Sequence, residues 1–185
     1  MPNLSALKYL VILTFVILSL GLQGCVGSTG GLRSYVSVTD QYQFLYPNGW
    51  TEVKVTNGPD LVLHDIIETT ENASVIISPV PGGKSLGEIG TPSEVGYRLQ
   101  MKAIAPENSN FQAELVNAES QEVGGQIYYF LEYAVQMGSD RYRHNLASVT
   151  VSRGRLYTFN VSTTEARWQK AKPMLEAVVK SFRTT

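Results

Sequence analysis

A single cysteine, Cys25, and two histidines, His64 and His144, occur among the 185 residues. One thiol cannot form an internal disulfide, so the fold is not held by cystine bridges. The same scarcity leaves no C-x-x-C and no H-E-x-x-H pattern. G-x-S-x-G and G-x-x-x-x-G-K-[ST] are absent too, which removes the nucleophile elbow and the phosphate-cradling loop. Ser-His or Cys-His catalysis would have to use His64 or His144, and no spacing around either supports it. The chain is therefore read as a non-enzyme.

Charge of one sign is also missing. Fifteen basic and sixteen acidic side chains give a net charge of −1, with no run of like sign. Without a basic stripe the chain has no electrostatic footprint for nucleic acid. Without a polybasic patch it has no electrostatic hold on a membrane surface. Nor does any apolar run reach the roughly 20 residues of a transmembrane helix.

The longest apolar run, Tyr9 to Leu22, follows Lys8 and has the length of a secretory signal core. It leads into Leu22-Gln23-Gly24-Cys25, which resembles the bacterial lipobox. There the cysteine thiol takes a thioether-linked diacylglycerol and becomes the first mature residue. Residues 1–24 are thus read as a lipoprotein signal peptide and Cys25 as the lipidated residue. A transmembrane anchor beside an incidental cysteine is the rival reading, and the short run disfavours it. Two or more acyl chains hold a protein stably at a membrane, whereas one is marginal.

Removing the leader leaves 161 residues, one domain's worth, with a net charge of −2 because Lys8 is the leader's only charge. Such a length buries about 70% of its unfolded surface and needs neither disulfide nor metal to hold a core. Residues 25–34 read as lipidated cysteine and flexible Gly/Ser linker, spanning roughly 15–18 Å. The folded domain is expected over 35–185.

Within it, Gln41–Leu45 and Trp50–Val55 read as a strand and its return across the Pro47-Asn48-Gly49 turn. Leu61–Ile67 and Ala73–Pro79 read as further strands. Thr91-Pro92-Ser93-Glu94 carries a capping box and opens a helix to about Ala105. Glu114–Glu122, Gln126–Gln136, Arg141–Val151 and Arg155–Ser162 follow as strands. Trp168, Ala171, Leu175, Val178 and Phe182 recur at helical spacing, with Pro173 expected to kink or restart that helix. Hairpin-linked strands with two helices predict an α+β fold with an antiparallel sheet, its first and last helices on opposite faces.

Three groups are candidate sites. Asp140 and His144 fall at even spacing near a strand start, and Glu165 could join them to hold a metal. His64 and Asp65, with Glu68 nearby, form a second metal candidate, although strand neighbours point to opposite faces. No cofactor is required, and a surface Zn or Ca is the metal these groups would take. Arg141, Arg143, Arg153 and Arg155 bracket one hairpin and are candidates for docking an acidic partner. A charged strand edge is the plain alternative. Tyr42, Phe44, Tyr46 and Trp50 are either a stacking surface or sheet core, and core is the reading preferred.

Four blocks carry a family resemblance: YQFLYPNGWTEV from Tyr42, DIIETTENASVIISPV from Asp65, KSLGEIGTPSEVG from Lys84, and SRGRLYTFNVSTTEARW from Ser152. In this order and spacing they resemble the PsbP family, extrinsic proteins on the lumenal side of photosystem II. With the lipobox, the chain looks like the family's cyanobacterial lipoprotein form. The resemblance implies a single-domain α/β/α sandwich around a central antiparallel sheet, PsbP/Mog1p-like. It implies a lipid-anchored protein of the thylakoid membrane, on the lumenal and not the cytoplasmic side, bound to photosystem II subunits or assembly intermediates. Plant members help retain calcium and chloride through an extended N-terminal region, which the short linker replaces here, so an auxiliary or assembly role is expected. A lumenal metal-binding or metal-delivery protein is the alternative. His144 matches the family's histidine on the penultimate strand, and Glu165 its acidic residue before Arg-Trp.

Overall fold

A computed structural model describes residues 31–185. The leader, Cys25 and most of the linker lie outside the described residues. The first strand, β1 (Leu32–Ser37), takes up the last residues of the expected linker. It does so by pairing antiparallel with β2 (Tyr42–Pro47), Leu32 opposite Pro47 and Ser37 opposite Tyr42. A short C-terminal strand, β10 (Arg183–Thr184), pairs with β2 on its other side.

The larger sheet has seven strands, β3 (Trp50–Glu52), β4 (Leu61–Asp65), β5 (Asn72–Pro79), β6 (Phe111–Val123), β7 (Gln126–Met137), β8 (Arg141–Ser152) and β9 (Arg155–Thr164). Their spatial order is β3-β4-β5-β9-β8-β7-β6, and every neighbouring pair is antiparallel. The expected hairpin across Pro47-Asn48-Gly49 does not form. Gly49, at φ +88°, instead turns the chain from one sheet to the other, and Trp50 pairs with Asp65 of β4. Aromatic packing sets this arrangement. Tyr42, Phe44 and Tyr46 point into the interior, Phe44 lies 4.4 Å from Phe159, and Tyr42 lies 5.7 Å from Phe182. All four candidate stacking aromatics, Trp50 included, are buried core.

Helices cover both faces of the large sheet. Single-turn α1 (Leu86–Ile89) and α2 (Pro92–Leu99) contribute Leu86 and Val95 to a cluster with Leu131, Tyr133 and Val149. The last helix, α3 (Glu165–Lys180), buries Trp168, Ala171, Leu175 and Val178 against the other face, with the small sheet. Thr91 caps α2 as its sequence predicts: the Glu94 amide donates to Thr91 Oγ1 (3.3 Å), and the Thr91 amide donates to Glu94 Oε2 (2.8 Å). Gly96 lets α2 sit close, because a Cβ there would meet Leu115 Cδ2 at 2.8 Å. The Tyr133 hydroxyl, donating to the Gly96 carbonyl at 2.9 Å, pins the same contact. Burial holds that phenol well above its usual pKa.

Two helix expectations change. The first helix is α-helical only to Leu99 and continues as a π-helical turn over Gln100–Ile104. The last is unbroken through Pro173 and ends at Lys180, so Phe182 packs from the segment after it. The Pro173 ring leaves the Gln169 carbonyl without its usual amide donor. No helix among the described residues is long and apolar enough to cross a membrane.

Candidate functional site at one end of the sheet

The β4–β5 turn, the β7–β8 turn and the start of α3 meet at one end of the large sheet, and His144, Glu165 and Arg143 gather there. His144 on β8 donates from Nε2 to Glu165 Oε2 at 2.5 Å. Glu165 is the first residue of α3, where a carboxylate also meets the positive end of the helix dipole. One turn on, Trp168 stacks flat against the His144 ring, with centroids 4.2 Å apart and planes 3° from parallel. Lys172 follows another turn later, its Nζ 4.9 Å from the indole centroid and 3.1 Å from Glu132 Oε2. His144 Nδ1 is buried without a partner.

A second network lies beside it. Glu71 is 3% exposed, yet it accepts from Arg167 Nε at 2.8 Å and from the Thr163 hydroxyl. A buried carboxylate is tolerated only when paired and hydrogen-bonded in this way. Arg143 donates to the Thr70 carbonyl and to Ser162 Oγ, which in turn donates to Asn72 Oδ1 at 3.1 Å. Burial lowers the Arg143 pKa, and the carboxylates of Glu71 and Glu68 partly offset this.

The turn between β4 and β5 is held from within. Asp65 Oδ1 accepts from the amides of Ile67 (2.7 Å) and Glu68 (2.8 Å), and the Ile66 amide donates to the Gly49 carbonyl (3.1 Å). The Glu68 amide and then the Ile67 amide hold the Asp65 carboxyl below the usual carboxylate range. Glu68 is likewise lowered, chiefly by the Thr70 hydroxyl. At the tip of this braced turn, Ile66 is 64% and Ile67 93% exposed.

These placements sort the candidates. His144 and Glu165 come together as a pair, but Asp140 lies in the β7–β8 turn and completes no metal-ligand group with them. His64 lies between Thr51 and Asn72 in the sheet, while Asp65 serves its own turn. Among the described residues no three His, Cys, Asp or Glu side chains are grouped to hold a metal ion. Calcium takes six to eight oxygens and zinc usually four ligands, so a hydrogen-bonded pair does not amount to either cage.

The four arginines do not form one patch. Arg141 and Arg143 start β8, whereas Arg153 and Arg155 lie beyond its far end, about 30 Å away at roughly 3.3 Å per residue. Arg155 and Arg153 are tied to the β1–β2 turn, through the Asp40 carbonyl (3.2 Å) and Gln41 Oε1. The strand-edge alternative fails as well, because β8 and β9 are interior strands of the sheet. Arg143 is partly buried and donates to Thr70 and Ser162, and the exposed Arg167 is paired with Glu71, which leaves Arg141 as an exposed cation of this end that no such pairing holds.

Sequence reading missed Glu71, Thr163 and Arg167, because nothing in TTENAS or EARW marks a carboxylate for burial. Ile66 and Ile67 read as strand, because β-branched apolar residues carry that signal even when a turn exposes them.

A family model described as PsbP matches residues 30–184. The chain belongs to the PsbP family. It is 48% identical over 172 residues to the CyanoP protein of Thermosynechococcus vestitus, covering 91% of this chain and 92% of that one. The solution structure of CyanoP from Synechocystis superposes with a TM-score of 0.73 at 45% identity, covering 89% of this chain and 99% of that chain. The yeast Ran-binding protein Mog1p shares the fold, with a TM-score of 0.54 at 10% identity over 83% of this chain and 95% of that one. The PsbP/Mog1p-like fold expected from the four sequence blocks is the fold observed.

Proposed function

We propose that this PsbP-family protein is a lumenal lipoprotein without catalytic activity that associates with photosystem II, or with its assembly intermediates, as an auxiliary or stabilising factor. The observation that carries the reading is the family match across residues 30–184. It is joined by the 48% identity to a cyanobacterial relative and the lipobox-like Leu22-Gln23-Gly24-Cys25. Lipid on Cys25 anchors the domain to the thylakoid membrane, and the sheet end bearing Ile66, Ile67 and Arg141 does the docking. A rigid turn presenting apolar side chains loses little conformational freedom on binding, which favours affinity. Arg141 at its side sets association rate and salt dependence. The metal-delivery alternative has no three-ligand group among the described residues to support it.

Affinity recovery from solubilised thylakoids with a tagged, lipidated chain tests the association. Photosystem II polypeptides are expected in the eluate, and their absence from both mature and assembling complexes contradicts it. Mass spectrometry of the native N-terminus tests the anchor. A diacylglyceryl-modified Cys25 as first residue is expected, and an unmodified Cys25 or a different first residue refutes it.

A further inference from the structure

Strands β5, β9 and β8 are the middle of the seven-stranded sheet, where both faces are expected to be apolar under helices. One face obeys: Ala73, Val75, Leu146, Phe159 and Val161 are core. The face toward α2 does not. Register places Asn72, Ser162 and Asn145 in one row across the three strands, and Ser74, Asn160 and Ala147 in the next. Helices α1 and α2 pack over β6 and β7, and beside them these rows floor a cleft of about 210 Å³, with Ala147 and Ser162 themselves buried. Its wall is apolar, with Leu99 and Ile104 from the helical segment and Phe111 and Met137 from β6 and β7.

A merely solvated sheet face is common in antiparallel sheets. Two features set this one apart. Among the described residues Arg143 is the only charged one lining the cleft; its Nη2 is held by Thr70 and Ser162, while its Nε is buried without a hydrogen-bond partner. The helical wall is built by the π-turn at Gln100–Ile104, a local irregularity that recurs at functional sites. Hydrogen-bonding capacity also remains on the floor. Asn160 Oδ1 accepts from Asn145 Nδ2 at 3.3 Å. Among the described residues the Asn160 amide protons and the Ser74 and Thr158 hydroxyls have no partner within the chain.

The geometry points to a binding site for a small organic carboxylate with a short aliphatic arm. The floor offers neutral donors and the remaining nitrogens of the Arg143 guanidinium, and no acid lines the cleft itself although Glu71 and Glu68 lie near Arg143; such donors are the chemistry that recognises a carboxylate. The wall of Leu99, Ile104, Phe111 and Met137 takes the arm. The volume lies below the roughly 300–1,000 Å³ of a drug-sized site and suits a molecule of hexanoate size. The site shares Arg143, Ser162 and Asn72 with the network at the proposed docking end, but it does not rest on that reading.

Titration calorimetry and thermal melts of the full chain in detergent, with sodium hexanoate, hexan-1-ol and sodium acetate as probes, test it. Hexanoate is expected to bind saturably at one site per chain and to raise the melting temperature. The alcohol lacks the charge and acetate lacks the arm, so each should bind at least about tenfold more weakly. Asn160→Leu, and the near-isosteric Thr158→Val should the first variant melt early, are each expected to weaken hexanoate binding by about tenfold or more. Glu122→Gln, outside the cleft, leaves it unchanged. No saturable binding, equal binding of hexan-1-ol, or hexanoate affinity that survives the folded floor variants overturns the site.

Discussion

His144 and Trp168 lie face to face, 4.2 Å between centroids and 3° from parallel, and this contact joins the middle of the sheet to the first turns of α3. The Glu165 hydrogen bond adds a second tie from the same imidazole. The stack and the hydrogen bond contribute separately. His144→Ala removes both and is expected to cost about 2 kcal/mol of folding free energy. His144→Phe keeps an aromatic face on Trp168 and should cost less than about 1 kcal/mol. Urea unfolding of the two variants checks this, and equal losses would mean that the stack contributes nothing.

The Glu71–Arg167 pair is asymmetric, because the carboxylate is 4% exposed and the guanidinium about half exposed. Removing the cation strands a buried acid, whereas neutralising the acid leaves a cation that water can reach. Arg167→Leu is therefore expected to destabilise by about 2 kcal/mol or more, and Glu71→Gln, which keeps the Thr163 contact, by about 1 kcal/mol. Denaturant midpoints give the ranking. A reversed order would show that Glu71 is held by something other than Arg167.

Asp65 links the β4–β5 turn to pH. Its folded-state pKa is lowered by two backbone amides. Its contribution is thus full above the unfolded carboxyl value of about 3.9 and is lost as pH falls through the lower folded value. Asp65→Asn keeps an oxygen acceptor but not the charge. Melting temperatures from pH 7 down to pH 3 should show parent and variant converging as the solution becomes acidic. A gap that stays constant over that range would mean that the charge on Asp65 is not what braces the turn.

Much of this fold was legible because its signals are local. The capping box at Thr91 and Glu94 and the strands read over Gln126–Gln136, Arg141–Val151 and Arg155–Ser162 each appear, the strands within a residue or two of their ends. What escaped depends on long-range pairing. β1 looked like linker because LRS has no pattern of its own and becomes strand only against β2. Trp50 turned away from β2 because its partner is Asp65, which adjacency in sequence does not reveal. At the candidate site the His144–Glu165 pair was legible through the family pattern. The separation of Arg141 from Arg153 was not, because two ends of one hairpin look close in sequence and are the length of a strand apart.

The docking end is tested most directly by a photo-crosslinking residue placed at Ile67 and, as the contrast, at Gly125 in the β6–β7 hairpin. An ordinary exposed position such as Ile67 tolerates substitution within about 0.5 kcal/mol; Gly125, at φ +80°, is strained by any side chain, so thermal melts are to show both variants folded before illumination. In thylakoid membranes, illumination is expected to join the Ile67 variant to a photosystem II polypeptide and to give no such product from the Gly125 variant. Capture of photosystem II by Gly125 alone, or by neither position, would contradict the assignment of this end of the sheet as the surface that meets photosystem II.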